Sequence, residues 1–294
     1  MTTAPQLPVP TPQRPTPVWI HDRLVEAGEA TLAYDDHGIT VGDGVFETIK
    51  FEERGVFALT QHLERLGQSA RTMEIPLPEE ARIRDAVSAV TQSFWAESDS
   101  STGFLRITLT AGPGPLGTPR GELTPTLIVA VRPGTIRLEP TAVHLTTWTR
   151  NERSALAGVK STSYGENVIA LLDATRHGCS EAIFANTSGE LCEGTGSNVF
   201  VAISDTLVTP PLSSGCLAGV TRQLLLDAGV GIERSIAVSE LSECTEMFLV
   251  STGREVQPVL RCDAVQFPFA PGPFTSSARA TWLNDIVADP SLYS

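Results

Sequence analysis

Strand-period and helix-period segments follow one another along this chain without the regular β-α alternation of a doubly wound sheet, which restricts it to an α+β fold. Phe104 to Thr110 shows the strand period: Leu105, Ile107 and Leu109 fall on one face, Arg106, Thr108 and Thr110 on the other. Leu59, Leu63, Leu66, Ala70 and Met73 recur at helical spacing and predict an amphipathic helix over about 60–73. Ile83, Ala86, Val87, Val90 and Phe94 repeat that spacing in a second helix. Trp19–Ile20 and Leu24–Val25 read as a hairpin, and Val45–Phe51 and Thr126–Val131 as strands.

Pro133-Gly134 breaks the last of these strands, so two units are expected. Residues 1–17 hold six prolines and no apolar periodicity, and read as a disordered arm. A smaller α+β domain over 18–132, a linker over 133–139 and a larger α+β domain over 140–294 complete the division. In the larger unit, strands are expected near 143–148, 182–185, 198–202, 206–209 and 246–250, and helices over about 165–177 and 220–228. Gly178 stops the first of those helices, and Asn186-Thr187-Ser188-Gly189 is read as the turn between the strands at 182–185 and 198–202.

The charge balance narrows the partners. With 21 basic against 34 acidic residues and a net charge of −13, the chain lacks the basic surplus of a nucleic-acid binder. No apolar run approaches the roughly 18 residues of a membrane span, and the first residues lack a signal-peptide core, so a cytoplasmic protein is expected. The five cysteines (Cys179, Cys192, Cys216, Cys244 and Cys262) are odd in number and widely spaced. They argue against a disulfide framework or a zinc site, and no metal is expected.

The basic residues are 19 arginines and only two lysines, Lys50 and Lys160. Arginine cannot lose its proton and lysine can, so a lysine that persists in such a chain is a candidate for a site that needs a neutral amine; drift is the competing explanation. Lys160 stands in G-V-K-S-T-S-Y-G-E-N, between a strand and a helix signal, where functional groups tend to lie. A surface lysine in a linker is the alternative. Farther on, L-C-E-G-T-G-S-N-V-F places Glu193 before two glycines that let backbone approach a ligand; a solvated turn between strands would look the same. S-S-G-C-L-A-G-V-T-R-Q-L-L-L feeds a turn into a helix beginning at Val220 and Thr221, a start suited to an anion but also to ordinary capping. Ser251-Thr252-Gly253 is a second such turn, and Arg65 lies on the first amphipathic helix. An amine, a carboxylate, two Thr/Gly turns and an arginine are together the parts needed to hold pyridoxal 5'-phosphate.

These segments resemble the class IV, or fold type IV, pyridoxal-phosphate enzymes, a D-amino-acid-aminotransferase-like two-domain fold. The resemblance runs from about Val18 to at least Ala264. It rests on D-D-H-G-I-T-V-G-D-G-V-F-E-T, H-L-E-R-L, G-V-K with Asn167 seven residues later, E-G-T-G-S-N-V-F, T-P-P-L-S-S-G-C-L-A-G-V-T-R and S-T-G-R-E-V-Q-P-V. It implies that Lys160 is the Schiff-base lysine and proton carrier, Glu193 the partner of the pyridine nitrogen and Arg65 the phosphate arginine. Val220, Thr221 and Thr252 would form the phosphate cup, with Tyr164 and Asn198 near the ring. It also implies a homodimer acting on a small amino substrate, with a loop reaching the site from the neighbour.

Among the branches of this family, the opening D-H-G-x-x-x-G-D-G-V-F-E-T resembles aminodeoxychorismate lyase most, an enzyme that makes para-aminobenzoate and pyruvate. D-amino-acid enzymes usually carry a tyrosine and a phenylalanine at the positions of Ile39 and Val41, here expected to touch substrate. Branched-chain enzymes usually carry Tyr-Ile-Arg-Pro where this chain has Phe104-Leu105-Arg106-Ile107, so Arg106 keeps that pattern's carboxylate-binding arginine without its tyrosine; a structural arginine on a solvated sheet face is the alternative. Arg254 is a candidate for a second carboxylate, and Pro113-Gly114-Pro115 with Arg120 for a pocket-lining loop. A transaminase for D-amino acids, (R)-amines or branched-chain amino acids is the alternative, and a non-catalytic cofactor-binding homologue a third.

Overall fold

The computed structural model describes residues 16–98 and 100–294. The arm expected over 1–17 therefore lies outside the described residues except at its end, where the Thr16 hydroxyl donates to the carbonyl of Val131 at 2.6 Å. Among the described residues, no helix is long and apolar enough to cross a membrane.

The first sheet contains β1 (Val18–Ile20), β2 (Arg23–Val25), β3 (Gly44–Glu52), β4 (Gly55–Val56), β5 (Thr102–Thr110) and β6 (Thr126–Pro133), in the order β2-β1-β6-β5-β3-β4. A short helix, α1 (His37–Thr40), precedes β3. Helices α2 (Leu59–Thr72) and α3 (Glu80–Glu97) bury Leu63, Leu66, Val87 and Val90 against Ile49, Leu105, Ile107 and Val129 of the sheet. The two-residue period of β5 thus divides inside from outside as expected: Leu105, Ile107 and Leu109 are fully buried, while Arg106 and Thr108 face away from the helices.

The second sheet holds β7 (Thr141–Arg150), β8 (Glu181–Asn186), β9 (Leu191–Gly194), β10 (Asn198–Ile203), β11 (Thr206–Thr209), β12 (Ile232–Glu233), β13 (Cys244–Ser251), β14 (Glu255–Cys262) and β15 (Val265–Gln266). Its order is β12-β11-β10-β13-β14-β7-β8-β9, with β15 paired to β14. Helices α4 (Gly165–Arg176), α5 (Val220–Asp227) and α6 (Pro273–Thr281) pack against it. Strands β7 and β8 are parallel neighbours, so the chain must cross over between them. The loop after β7 and helix α4 form that crossover, and Lys160 lies in the loop. Gly178, at φ +68°, takes the left-handed conformation that ends the helix.

Besides the short elements α1, β4, β12 and β15, three features depart from the sequence reading. The turn at 186–189 leads not into Asn198–Ile203 but into β9, a four-residue strand paired with β8. Its run Leu-Cys-Glu-Gly is too short and too mixed to register as a strand. Strand β14 also escaped the reading because Pro258, which cannot donate to a ladder, sits within it opposite Phe248. Helix α6 had no counterpart in the sequence analysis. The five cysteines are free and buried.

Candidate active site

A cavity of about 960 Å³ opens between the two sheets. Phe46, Thr48, Phe104, Arg106 and Arg132 line it from the first sheet, while Lys160, Tyr164, Glu193, Val220, Thr221 and Thr252 line it from the second half of the chain. Ten of the residues singled out from the sequence thus line one cavity, with Asn167 beside them: Arg65, Arg106, Lys160, Tyr164, Glu193, Asn198, Val220, Thr221, Thr252 and Arg254.

Lys160 is held by its backbone. Its N–H donates to Ser69 Oγ of α2 at 3.2 Å, and its carbonyl accepts from Phe46 N–H at 2.9 Å. Its Nζ lies 4.4 Å from the centroid of the Phe46 ring. Burial between the sheets and the nearby Arg65 charge lower the amine pKa to about 8, and no carboxylate forms a salt bridge with it among the described residues. The Tyr164 ring meets Phe46 edge-on at 5.0 Å, and burial together with Glu193 pushes its phenol up to about 12.

Glu193 projects into the cavity from β9. Its Oε2 accepts from the Leu217 N–H at 2.9 Å, while Oε1 lies 3.6 Å from Arg150 Nε, a buried donor without a hydrogen-bond partner. Burial raises the Glu193 pKa against the opposing pull of Arg150. An N–H donor from the cavity would restore its charge. Arg150 also donates to Asn167 Oδ1 at 3.1 Å, and Asn167 Nδ2 to the Thr195 carbonyl at 2.6 Å, so the asparagine seven residues after Lys160 braces the carboxylate's neighbour.

The start of α5 forms a cradle. The Gly219 backbone approaches Asn198 so closely that a Cβ there would lie 1.9 Å from Asn198 Oδ1, and only glycine fits. Asn198 Nδ2 donates to the Leu217 carbonyl at 2.9 Å, so Asn198 pins this loop. Val220 and Thr221 follow at the helix N-terminus, where free N–H groups favour an anion. The Thr252 hydroxyl is committed to the Thr48 carbonyl at 2.9 Å, tying the second turn to β3. Arg65 Nη1 donates to the Ala218 carbonyl at 2.9 Å and reaches the same cradle from α2.

What holds Arg65 there went unread in the sequence. Glu47 is wholly buried and grips the guanidinium through two contacts, Nε to Oε1 at 2.8 Å and Nη2 to Oε2 at 2.6 Å. His62 Nδ1 lies 2.7 Å from Glu47 Oε2. Burial alone would raise the Glu47 pKa, but Arg65 and His62 outweigh it and hold the carboxyl well below the usual carboxylate range. Burial keeps the His62 pKa below its ordinary value, so a neutral imidazole donates to Glu47. A signal existed: Val45, Glu47, Ile49 and Phe51 share one strand face, and Glu47 is the charge in an otherwise apolar series.

Three sets of expected substrate-binding residues lie outside this chain's cavity or are engaged elsewhere. Ile39 and Val41 do not line this chain's cavity; they are 60% and 39% exposed, because the Asp36 carboxylate caps α1 at Gly38 N–H and turns the segment outward. The Pro113–Pro115 loop and Arg120 also stand away from the cavity. Arg120 is drawn to Asp43, and His37 to the Pro115 carbonyl. Arg254 lines the cavity, but its guanidinium is taken by Ser180, Glu181 and Gln257, so it is not an open carboxylate receptor.

The chain matches the amino-transferase class IV family over residues 44–262 and belongs to that family. Its members are enzymes that depend on pyridoxal phosphate. The chain is 30% identical over 277 residues to the bifunctional aminodeoxychorismate lyase / D-amino acid transaminase of Mycobacterium tuberculosis, covering 86% of this chain and 93% of that one. The branched-chain aminotransferase from Thermoproteus uzoniensis superimposes with a TM-score of 0.84 at 28% identity, covering 93% and 95% of the two chains. A hypothetical aminotransferase from Mycobacterium tuberculosis in its PLP-bound form superimposes with a TM-score of 0.80 at 29% identity, over 92% and 100%. The cavity fits the cofactor on its own terms: an amine with lowered pKa, a carboxylate whose pKa burial raises despite Arg150, and a glycine-lined anion cradle lie around one space.

Proposed function

We propose that the chain is an aminodeoxychorismate lyase-like enzyme, releasing para-aminobenzoate and pyruvate. Each product carries one carboxylate, so the substrate carries two. The observation behind this reading is a set of cavity arginines, Arg106, Arg132 and Arg137, that form no salt bridge among the described residues. Arg106 stacks over Phe46 at 3.6 Å, and burial and the neighbouring Arg132 charge lower its pKa. Like charges crowded without counterions favour an anionic ligand.

In this reading Lys160 carries the cofactor, Glu193 holds a proton at its ring nitrogen, and Arg65 with the Val220–Thr221 cradle grips its phosphate. When bound, pyridoxal phosphate supplies an aldehyde that condenses with amines and a ring that accepts electrons. Lys160, with an amine neutral about half the time near pH 8, takes the proton from the substrate carbon bearing the amine. Loss of the β-substituent then leaves an aromatic ring. Arg106 and Arg132 orient the carboxylates so that this proton faces Lys160.

Transamination is the second reading, favoured by the Mycobacterium tuberculosis relative, whose name combines both reactions. The test is direct. Cofactor-loaded protein is supplied with aminodeoxychorismate, and para-aminobenzoate and pyruvate are measured; D-amino acids with 2-oxoglutarate form the second arm. Equal molar release of the two products supports the lyase. Turnover in the second arm alone supports the transaminase. Arg106→Gln is expected to raise KM for the dicarboxylate about 10–100-fold, following the loss of a charged hydrogen bond. A homodimer is part of the same reading: α4 exposes Val168, Ile169, Leu171 and Leu172, each at least 38% exposed, and Val168 and Leu171 also line the cavity. Light scattering at twice the chain mass is the expected result.

A further inference from the structure

At the far end of α4 from the cavity, His144 of β7, Asp173 in the last helical turn and His177 just beyond it converge. One potential ligand atom from each lies within 4.8 Å of the others. None of the three lines the cavity.

Hydrogen bonds orient both imidazoles. His144 Nδ1 lies 2.6 Å from Asp263 Oδ1, and Asp263 Oδ2 is itself anchored by the Leu145 N–H at 3.0 Å. A carboxylate can only accept, so Nδ1 of His144 carries a hydrogen, and Nε2 is the ring nitrogen turned toward Asp173, 3.5 Å from its Oδ2. His177 Nδ1 donates to the Asp173 carbonyl at 3.0 Å, and the two rings stack at 4.1 Å with 11° between planes.

We propose that this cluster binds a divalent transition ion of the zinc class. Two imidazole nitrogens and one carboxylate oxygen are a ligand set that such an ion takes, with water completing the shell. Bonds of about 2.0–2.1 Å in a tetrahedral shell put ligand atoms roughly 3.3 Å apart. The 3.5 Å between His144 Nε2 and Asp173 Oδ2 is already close to that spacing. His177 is exposed, and its ring would turn out of the stack to share an ion with His144. Asp263 behind His144 supplies the outer carboxylate that orients a metal-bound imidazole. The carbonyl end of α4 adds negative potential to a chain of net charge −13. The cysteines, all buried, take no part. The ion would clamp the end of α4 to β7 and to the turn between β14 and β15.

The test is calorimetric titration of chelator-stripped, cofactor-loaded protein with Zn²⁺, beside thermal melts. One Zn²⁺ per chain is expected, with a melting temperature that rises on addition. His177→Gln and Asp173→Asn, both at accessible positions, should each weaken binding at least about tenfold, and Asp263→Asn about 10–100-fold without removing a ligand. The cofactor's visible spectrum should be the same in all variants. If the native protein takes up no Zn²⁺, the proposal fails. It fails equally if His177→Gln and Asp173→Asn bind as tightly as the native protein, since the ion would then sit elsewhere.

Discussion

The two lysines of this chain, Lys50 buried and Lys160 half-buried, occupy two regions that charge them differently. Lys50, on β3, lies where the sheets join; its Nζ meets Glu255 of β14 at 2.8 Å and Glu52 at 2.9 Å. Burial would lower its pKa, but the two carboxylates outweigh it and hold the amine above its ordinary value. Lys160, between the same sheets, has Arg65 nearby and no paired carboxylate, and its pKa falls to about 8. Scarcity of lysine drew attention to both. Only the neighbours distinguish a clamp between sheets from an amine able to react.

That contrast can be broken most severely at Lys160. Lys160→Ala should lower turnover by about 10²–10⁴-fold or more and remove the visible band of lysine-bound cofactor. Activity that survives would strip Lys160 of its role. Lys50→Met should do the opposite: turnover per folded molecule is retained, while urea unfolding reports a loss of about 3–5 kcal/mol, because Glu255 is left buried without its cation. A stable Lys50→Met protein with impaired chemistry would reverse the assignment.

A subtler test lies behind the cradle. Glu47→Gln keeps the shape but removes the charge that fixes Arg65. The dissociation constant for pyridoxal phosphate should rise about 10–100-fold, corresponding to about 1.5–3 kcal/mol for a charged hydrogen bond. An unchanged constant, measured by equilibrium dialysis, would show that Arg65 stands without it. The smallest effect concerns pH. Lys160 is protonated below its lowered pKa, so the rate at which the cofactor-free protein captures pyridoxal phosphate should fall as pH drops below about 8 and level off above it. Arg65→Gln should move that midpoint upward, toward the ordinary lysine value, since one cause of the depression is gone. A midpoint unmoved by this change would leave burial and the more weakly acting Arg106 as its sources.

Much was decided by the sequence itself. Period two in β5 and period 3.6 in α2 each require one apolar face, and these faces can be buried only against one another, so the helix-on-sheet layer of the first half was legible. The order of the short motifs named the family because each carries several residues whose chemistry is jointly demanding. The tertiary structure alone decided the charges and the company. Glu193 enters the cavity from a strand too short to read, and Glu47 gained meaning only when α2 placed His62 and Arg65 against it. Arg254 and Arg106 are alike in sequence, yet one is consumed by Glu181 and Gln257 while the other is left open to the cavity. Local periodicity is set by neighbours along the chain. A pKa, or an arginine's freedom, is set by groups brought within a few ångströms from far along it.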